Sequence, residues 1–288
     1  MCGQCGIILG RKRRKADEQK MLHDIFTRLL ILNEARGKDA TGMMTMQRDG
    51  LWSLYKENIP VRQFVKSEDF QDTIEGVSDK TTLLAGHARW ATVGKASNPR
   101  NNHPIMAGHV IGTHNGTITN ANEAAKMLRL PRNAKVDSEV IFRIATSVID
   151  KSGYISLDKL KNKLYYLRGE MSAVLVSRTD PSRVLVLKGT KPLHLRYSKK
   201  ARVIVYSSED IPLDAVLENT NLKWEKVNLK KNTCMEVYCI KPLQFSMTPF
   251  SIQKPLPVYK ATTARSYYDF NNEYDYPTSA ARFYDGRR

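Results

Sequence analysis

The second residue of the chain is a cysteine, in the opening Met1-Cys2-Gly3-Gln4-Cys5. Ahead of a small second residue an initiator methionine is ordinarily removed, which would leave one residue carrying both a thiol and a free α-amine. An α-amine titrates at about 7.7–8, near neutrality, so it can accept the proton of its own side-chain thiol and make it a nucleophile. The plainer reading of Cys2, taken alone, is a buried cysteine that opens a core strand. Cys2 and Cys5 also form a C-x-x-C pair, which invites zinc or redox chemistry. Zinc wants a second pair, and Cys234 with Cys239 stand five apart in a strand-like run, on opposite faces. A redox motif of this kind should open a helix after a strand. Free thiols are the reading the spacing favours, and no metal is expected.

Further groups have types suited to an amide or an amino acid. Arg89, in GHARWATVG (86–94), is a guanidinium inside an otherwise β-like run. It can hold a carboxylate through two parallel hydrogen bonds, and an ion-paired surface arginine is the plain alternative. Asn115 and Gly116, in HNGT, predict a hairpin turn. They also offer a side-chain amide and a backbone N–H that can converge on a developing oxyanion. Asp137 or Ser138, in VDSEVI, caps the helix that follows, and the Asp137 carboxylate is alternatively free to hold an ammonium. Arg36 and Asp39, in ARGKDATG, read as a helix-exit cation and a turn residue. His87, His103, His109 and His114 lack a short metal-ligand spacing and read as structural hydrogen-bonding groups.

These residues need elements to position them. CGIILG predicts an N-terminal strand, and residues 18–35 an amphipathic helix with Leu22, Ile25, Phe26, Leu29, Leu30 and Leu32 on its apolar face. Gly37 stands where a helix exit often takes a positive φ. TGMMTMQ and LWSLYK, separated by RDG, predict a hairpin. TTLLAGHARWA and HVIGTHNGTITN predict further strands, the second folding back at Asn115-Gly116. Residues 138–150 and 157–167 predict helices. SAVLVSR, RVLVLKG, LHLRYS and RVIVYSSE predict short strands, with TCMEVYCI as the last. Strands grouped with a few helices, rather than alternating with them, indicate an α+β layered fold.

Composition bounds the classes that remain. The chain has 288 residues, 41% of them hydrophobic, with 46 Lys+Arg against 29 Asp+Glu and a formal charge of +17. That length buries a sizeable core, and the mixed charge pattern is globular rather than disordered. The longest apolar runs, such as LLIL, fall far short of the ~18–20 residues of a membrane span. No secretory signal is expected, and four cysteines in so long a chain suit a reducing cytoplasm. The folded body is expected over 1–240, with 241–288 as an appendage rich in aromatics and proline and lacking helical or strand periodicity. Most of the charge lies in the body. RKRRK (11–15) and the stretch 188–202, with Lys188, Lys191, Arg196, Lys199, Lys200 and Arg202, point to an anionic partner such as nucleic acid, or to a solvated charged face.

Taken in order, Cys2-Gly3 with CGIILG, RGKDATG (36–42), GHARWATVG (86–94), NNHP (101–104), HNGTITN (114–120) and DSEVI (137–141) resemble the glutaminase domain of class II glutamine amidotransferases. These are N-terminal nucleophile hydrolases, and the pattern is similar to that of the glucosamine-6-phosphate synthases. The resemblance covers roughly residues 2–240. It implies a four-layer αββα sandwich, with Cys2 as nucleophile and its own amine as base. Asn115 and Gly116 would form the oxyanion hole, Arg89 would clamp the α-carboxylate of L-glutamine and Asp137 its α-ammonium. Trp90 and Thr92 would complete the pocket. A γ-glutamyl thioester, no metal and no cofactor are implied, with ammonia passed to an acceptor. Two departures stand out: Val93 where these domains commonly carry histidine, and the inserted RKRRKADEQ. The 48 residues after 240 are too few for a synthase domain, so a separate acceptor-binding partner is expected. The alternatives are an inactive descendant with a structural or nucleic-acid-binding role, and a hydrolase of another amide, against which the Arg89–Asp137 pair argues.

Overall fold

The first strand, β1 (Gly3–Leu9), is buried along its whole length. Side chains alternate across a strand, so Cys5, Ile7 and Leu9 join one apolar layer and Ile8 another. A strand of this kind needs cover on both faces, and the computed structural model supplies it. The structure describes residues 2–254 and, as backbone only, the segment 280–284.

The remaining strands in chain order are β2 (Ala40–Gln47), β3 (Trp52–Glu57), β4 (Thr81–Arg89), β5 (Ile105–Ala107), β6 (Val110–Ile118), β7 (Gly169–Ser177) and β8 (Asp180–Lys188). They continue with β9 (His194–Ser198), β10 (Val203–Ser207), β11 (Glu225–Lys226), β12 (Thr233–Tyr238), β13 (Gln244–Pro249) and β14 (Ala280–Tyr284). The helices are α1 (Ala16–Asn33), α2 (Val61–Phe64), α3 (Glu68–Glu75), α4 (Ala121–Met127), α5 (Glu139–Ser147), α6 (Leu157–Leu164) and α7 (Asp210–Leu217). One sheet runs β11-β9-β10-β1-β4-β2-β3-β14, the other β13-β12-β8-β7-β6-β5. All neighbours are antiparallel.

Three apolar layers hold these sheets. Ile8, Leu83 and Ile204 from the first sheet meet Ile111, Val174 and Val186 from the second. Each such buried aliphatic side chain contributes about 1.5–3 kcal/mol. On the outer face of the first sheet, Ile7 and Leu84 pack against Phe26 and Leu29 of α1 and Leu213 of α7. On the outer face of the second, Ala173 and Leu187 pack against Phe142 of α5 and Leu160 of α6. The result is the expected α+β sandwich of four layers, αββα.

Several local expectations are corrected. Asn115-Gly116 makes no turn: β6 runs straight through it, with Asn115 opposite Ser172 and Ile118 opposite Gly169. A two-residue turn of that type needs positive φ at both residues, and only Gly116 has it, at 139°. Gly37 has an extended φ of −172°. Its missing side chain serves close approach instead, since a Cβ there would lie 2.3 Å from the Arg89 carbonyl carbon. Leu32 is 43% exposed rather than in the core. TCMEVYCI is not the last strand: β13 pairs along all of β12, and Phe250 is buried in the outer layer against α5 and α6. Tyr259, Tyr267, Tyr268, Phe270, Tyr274 and Tyr276 of the expected appendage lie outside the described residues, as does Met1. Cys234 and Cys239 do fall in different layers, as their spacing requires.

Candidate active site

Period-two alternation along β1 puts Cys2 on the same side as Gln4 and Ile8, the side that faces the second sheet. The register Gly3 to Ala88 sets Cys2 beside the end of β4. There the half-buried thiol accepts a hydrogen bond from the Trp90 N–H, 3.3 Å from Sγ. The Cys2 carbonyl accepts from Arg36 Nε at 2.7 Å, and Arg36 is in turn ion-paired with Glu209. Asp39 accepts from the Ala91 N–H at 2.7 Å, fixing the chain just beyond Trp90. The helix-exit residues thus hold the backbone at Cys2 and at Ala91, a role the plain exit-and-turn reading missed. Burial pushes the Cys2 thiol up from its ordinary value, opposed by the Trp90 N–H and the charges of Arg89 and Arg36. The thiol is therefore protonated near neutrality.

Arg89 ends β4 with only 3% exposure. Its guanidinium donates to Asn102 Oδ1 at 2.7 Å and to the carbonyls of Val93 and Gly94 at 2.7 and 2.8 Å. Burial lowers its pKa, while Cys2, Asp39 and Asp137 favour its charge. Asn102 Nδ2 also holds the Ala96 carbonyl at 2.7 Å. Asn101 bridges Lys95 O and the Lys135 N–H. The NNHP segment is therefore the brace of the Arg89 loop and of the approach to Asp137.

Asn115 faces the space between the sheets, where its Nδ2 donates to Ser208 Oγ at 2.6 Å. That hydroxyl also accepts from the Gln4 N–H at 2.9 Å and donates to the Gln4 carbonyl at 3.1 Å. The Gln4 side chain spans the two sheets, donating to Ser172 Oγ at 2.8 Å and accepting from Thr113 at 2.9 Å. Asn115 is thereby tied to the strand that carries Cys2. Gly116 beside it is exposed. A Cβ at Gly116 would fall 1.9 Å from the Glu170 carbonyl oxygen, so only glycine fits there.

Asp137 does not cap α5. It accepts from the Ile118 N–H at 2.6 Å, two residues beyond Gly116, while Ser138 hydrogen-bonds His114 Nδ1 at 2.8 Å. Trp90 is 54% and Val93 49% exposed, both at the rim. Thr92 is exposed on the same loop, and among the described residues no hydrogen bond ties it to the other candidates. A thiol, a cation, an amide donor and an anion are thus gathered toward one end of the sandwich, the set a zwitterionic amide requires. Among the described residues no cluster of three or more His, Cys, Asp or Glu can hold a metal, and no helix is long and apolar enough to cross a membrane.

The basic stretches are partly consumed internally, while Arg11, Arg13, Lys15, Lys199 and Lys200 are exposed. Arg196 is paired with Asp210 and Asp214, Lys191 with Glu170, and Lys188 donates to Leu193 O. Arg14 of RKRRK is 8% exposed, its guanidinium on the Gly10 and Ala201 carbonyls.

No family model matches the chain. Its sequence is similar to 7-cyano-7-deazaguanine synthases, with 24% identity to that of Sulfolobus acidocaldarius over 219 residues, 75% of this chain and 44% of that protein. It is also similar to the glutamine–fructose-6-phosphate aminotransferase (isomerizing) of Vibrio cholerae, with 28% identity over 196 residues, 67% of this chain and 29% of that protein. The chain spans less than half the length of these curated relatives. Among solved structures it resembles the allosteric regulatory enzyme of purine biosynthesis, with a TM-score of 0.62 and 18% identity over 87% of this chain and 49% of that one. The glutamine phosphoribosylpyrophosphate amidotransferase of B. subtilis gives a TM-score of 0.60 at the same identity and coverage. The relatives are named as enzymes, and this chain shares the fold of the two solved structures.

Proposed function

We propose that the chain hydrolyses L-glutamine to glutamate and ammonia, with Cys2 as nucleophile. The observation that carries this reading is the seating of the Cys2 thiol on the Trp90 N–H, next to the buried Arg89 cation. Loss of Met1 frees the Cys2 amine, which takes the thiol proton. Sγ then attacks the side-chain amide carbon of glutamine, and the oxyanion is met by Asn115 Nδ2 and the Gly116 N–H. Collapse breaks the C–N bond, the amine returns its proton to the leaving nitrogen, and ammonia departs from a γ-glutamyl thioester. Water cleaves the thioester to glutamate and restores the thiol. Arg89 and Asp137 hold the substrate's α-carboxylate and α-ammonium, with Trp90 and Thr92 at the pocket rim.

Ammonia passes to an acceptor. The name of the similar Sulfolobus acidocaldarius protein, a 7-cyano-7-deazaguanine synthase, supports a nitrogen-accepting deazapurine as the class of acceptor. Four free cysteines suit the cytoplasm. The internal pairing of Arg196, Lys191 and Lys188 weighs against a purely nucleic-acid-binding role. Glutamate release by the wild type and by Cys2→Ala tests the reading. It requires release by the wild type that falls by at least a thousandfold in the variant, and equal release by both overturns it.

A further inference from the structure

Alternation along β3 turns Trp52 and Leu54 into the layer between the sheets, and it turns Lys56 the same way. Lys56 is only 5% exposed. Among the described residues no carboxylate is paired with it; its Nζ donates to the main-chain carbonyls of Asn102 at 2.9 Å and Pro104 at 3.1 Å. A buried ammonium without an acid is costly, and a methionine would fill the same space without that cost. Burial, and then the charge of Arg89, draw it down to about 7. Arg89 on β4 and His103 on the loop are the charged and titratable groups described as facing it.

The neighbouring geometry shows what the lysine holds. Opposite Lys56 in register is Gly42 of β2, where a Cβ would lie 2.1 Å from the His103 carbonyl oxygen. The 102–104 segment therefore lies directly on the sheet, bracketed by the two carbonyls Lys56 grips. From that seat Asn102 presents Oδ1 to Arg89 at 2.7 Å. Lys56, Asn102 and Arg89 make one connected line across the inner face of the sheet.

We propose that Lys56 is a positioning residue for substrate recognition: by fixing the loop that carries Asn102, it orients the Arg89 guanidinium toward the α-carboxylate of the substrate. This role rests on the reading of Arg89 as the carboxylate clamp. It makes a demand that a general stabilising role does not, because only substrates with an α-carboxylate should feel it. The test compares L-glutamine with 4-aminobutanamide, which is glutamine without that carboxylate, in wild type, Lys56→Met and Lys56→Gln. Two variants are used so that misfolding of one, seen by circular dichroism, leaves the other. The expected result is a KM for glutamine raised about tenfold with kcat within twofold, and a kcat/KM for 4-aminobutanamide changed less than twofold. Equal losses on both substrates, a loss in kcat alone, or no change would overturn the proposal. If the wild type releases no glutamate, the hydrolytic reading fails separately. Calorimetric titration with glutamine then decides on Lys56, which requires a Kd about tenfold weaker in the variants and is refuted by equal affinities or by no binding to any of the chains.

Discussion

Acid should unfold this protein earlier than its carboxylates would dictate, because of three histidines buried behind the site. The rings of His87 and His103 stack with centroids 4.2 Å apart, and His114 lies 6.4 Å from His103. His87 Nε2 donates to the His114 carbonyl at 3.2 Å. Burial holds all three neutral: His87 is drawn down to about 3, His103 well below its ordinary value, and His114 downward against the pull of Asp137. In the unfolded chain a histidine binds its proton at about 6.5. Below that pH the unfolded state takes up protons that the native state refuses, so stability falls as pH falls. For His87 the loss between pH 7 and pH 5 is about 2 kcal/mol, and His103 and His114 deepen it. His23 and His194, shifted the same way but partly exposed, add smaller amounts. Set against a typical total of about 5–15 kcal/mol, this removes a large share before carboxylates begin to protonate near pH 4. Urea unfolding at steps from pH 7.5 to pH 5 measures the slope. His103→Phe keeps a ring against His87 and removes one titrating group, so its slope should be shallower by about one proton. Stability that is flat from pH 7 to pH 5, or a His103→Phe slope equal to that of wild type, would refute the reasoning.

Other consequences can be checked alongside. Gly116→Ala puts a Cβ against the Glu170 carbonyl and forces β6 from β7, costing roughly 3 kcal/mol or more; scanning calorimetry should show Tm lowered by about 10 °C. Ser208→Ala leaves Asn115 Nδ2 and the Gln4 N–H short of a buried partner, a loss of about 2–4 kcal/mol in urea unfolding. It also frees Asn115 to rotate, so kcat for glutamine hydrolysis should drop about tenfold. Arg89→Lys cannot serve Asn102, Val93 and Gly94 while still presenting a planar pair of N–H groups; steady-state kinetics should show the glutamine KM raised about tenfold or more.

Much of the frame is legible in the chain because apolar alternation is a local signal. It locates β1, the β2–β3 hairpin, β4 and β7 to β10 within a few residues. Cys2 and Asp137 lie near Arg89, and Asn115 shares the Ser208 hydroxyl with Gln4, two residues from Cys2. Where local signals competed, tertiary context won. Asn-Gly lies in mid-strand because Gly116 and Gly169, at φ 139° and 143°, relieve crowding between β6 and β7. Gly37 answers to the neighbouring Arg89 backbone rather than to its own helix exit. The braces were not visible because each joins residues far apart in the chain: Gln4 with Ser208 and Ser172, Arg36 with Glu209, Lys56 with Asn102. A faint signal existed for Lys56, a charge falling in step with Trp52 and Leu54 on the inward face of a strand. The edge strand β13 has mostly exposed residues and so left no apolar trace.

The central claim is that Cys2, stripped of Met1, is the nucleophile that attacks glutamine. Its most direct test is intact-mass and peptide mass spectrometry after incubation with 6-diazo-5-oxo-L-norleucine, a glutamine analogue that traps such nucleophiles. The account predicts a mature chain beginning at Cys2, with a single adduct on the Cys2 sulfur that excess glutamine suppresses and that Cys2→Ala abolishes. A chain that retains Met1, or one whose Cys2 stays unmodified while the analogue is present in excess, would contradict it.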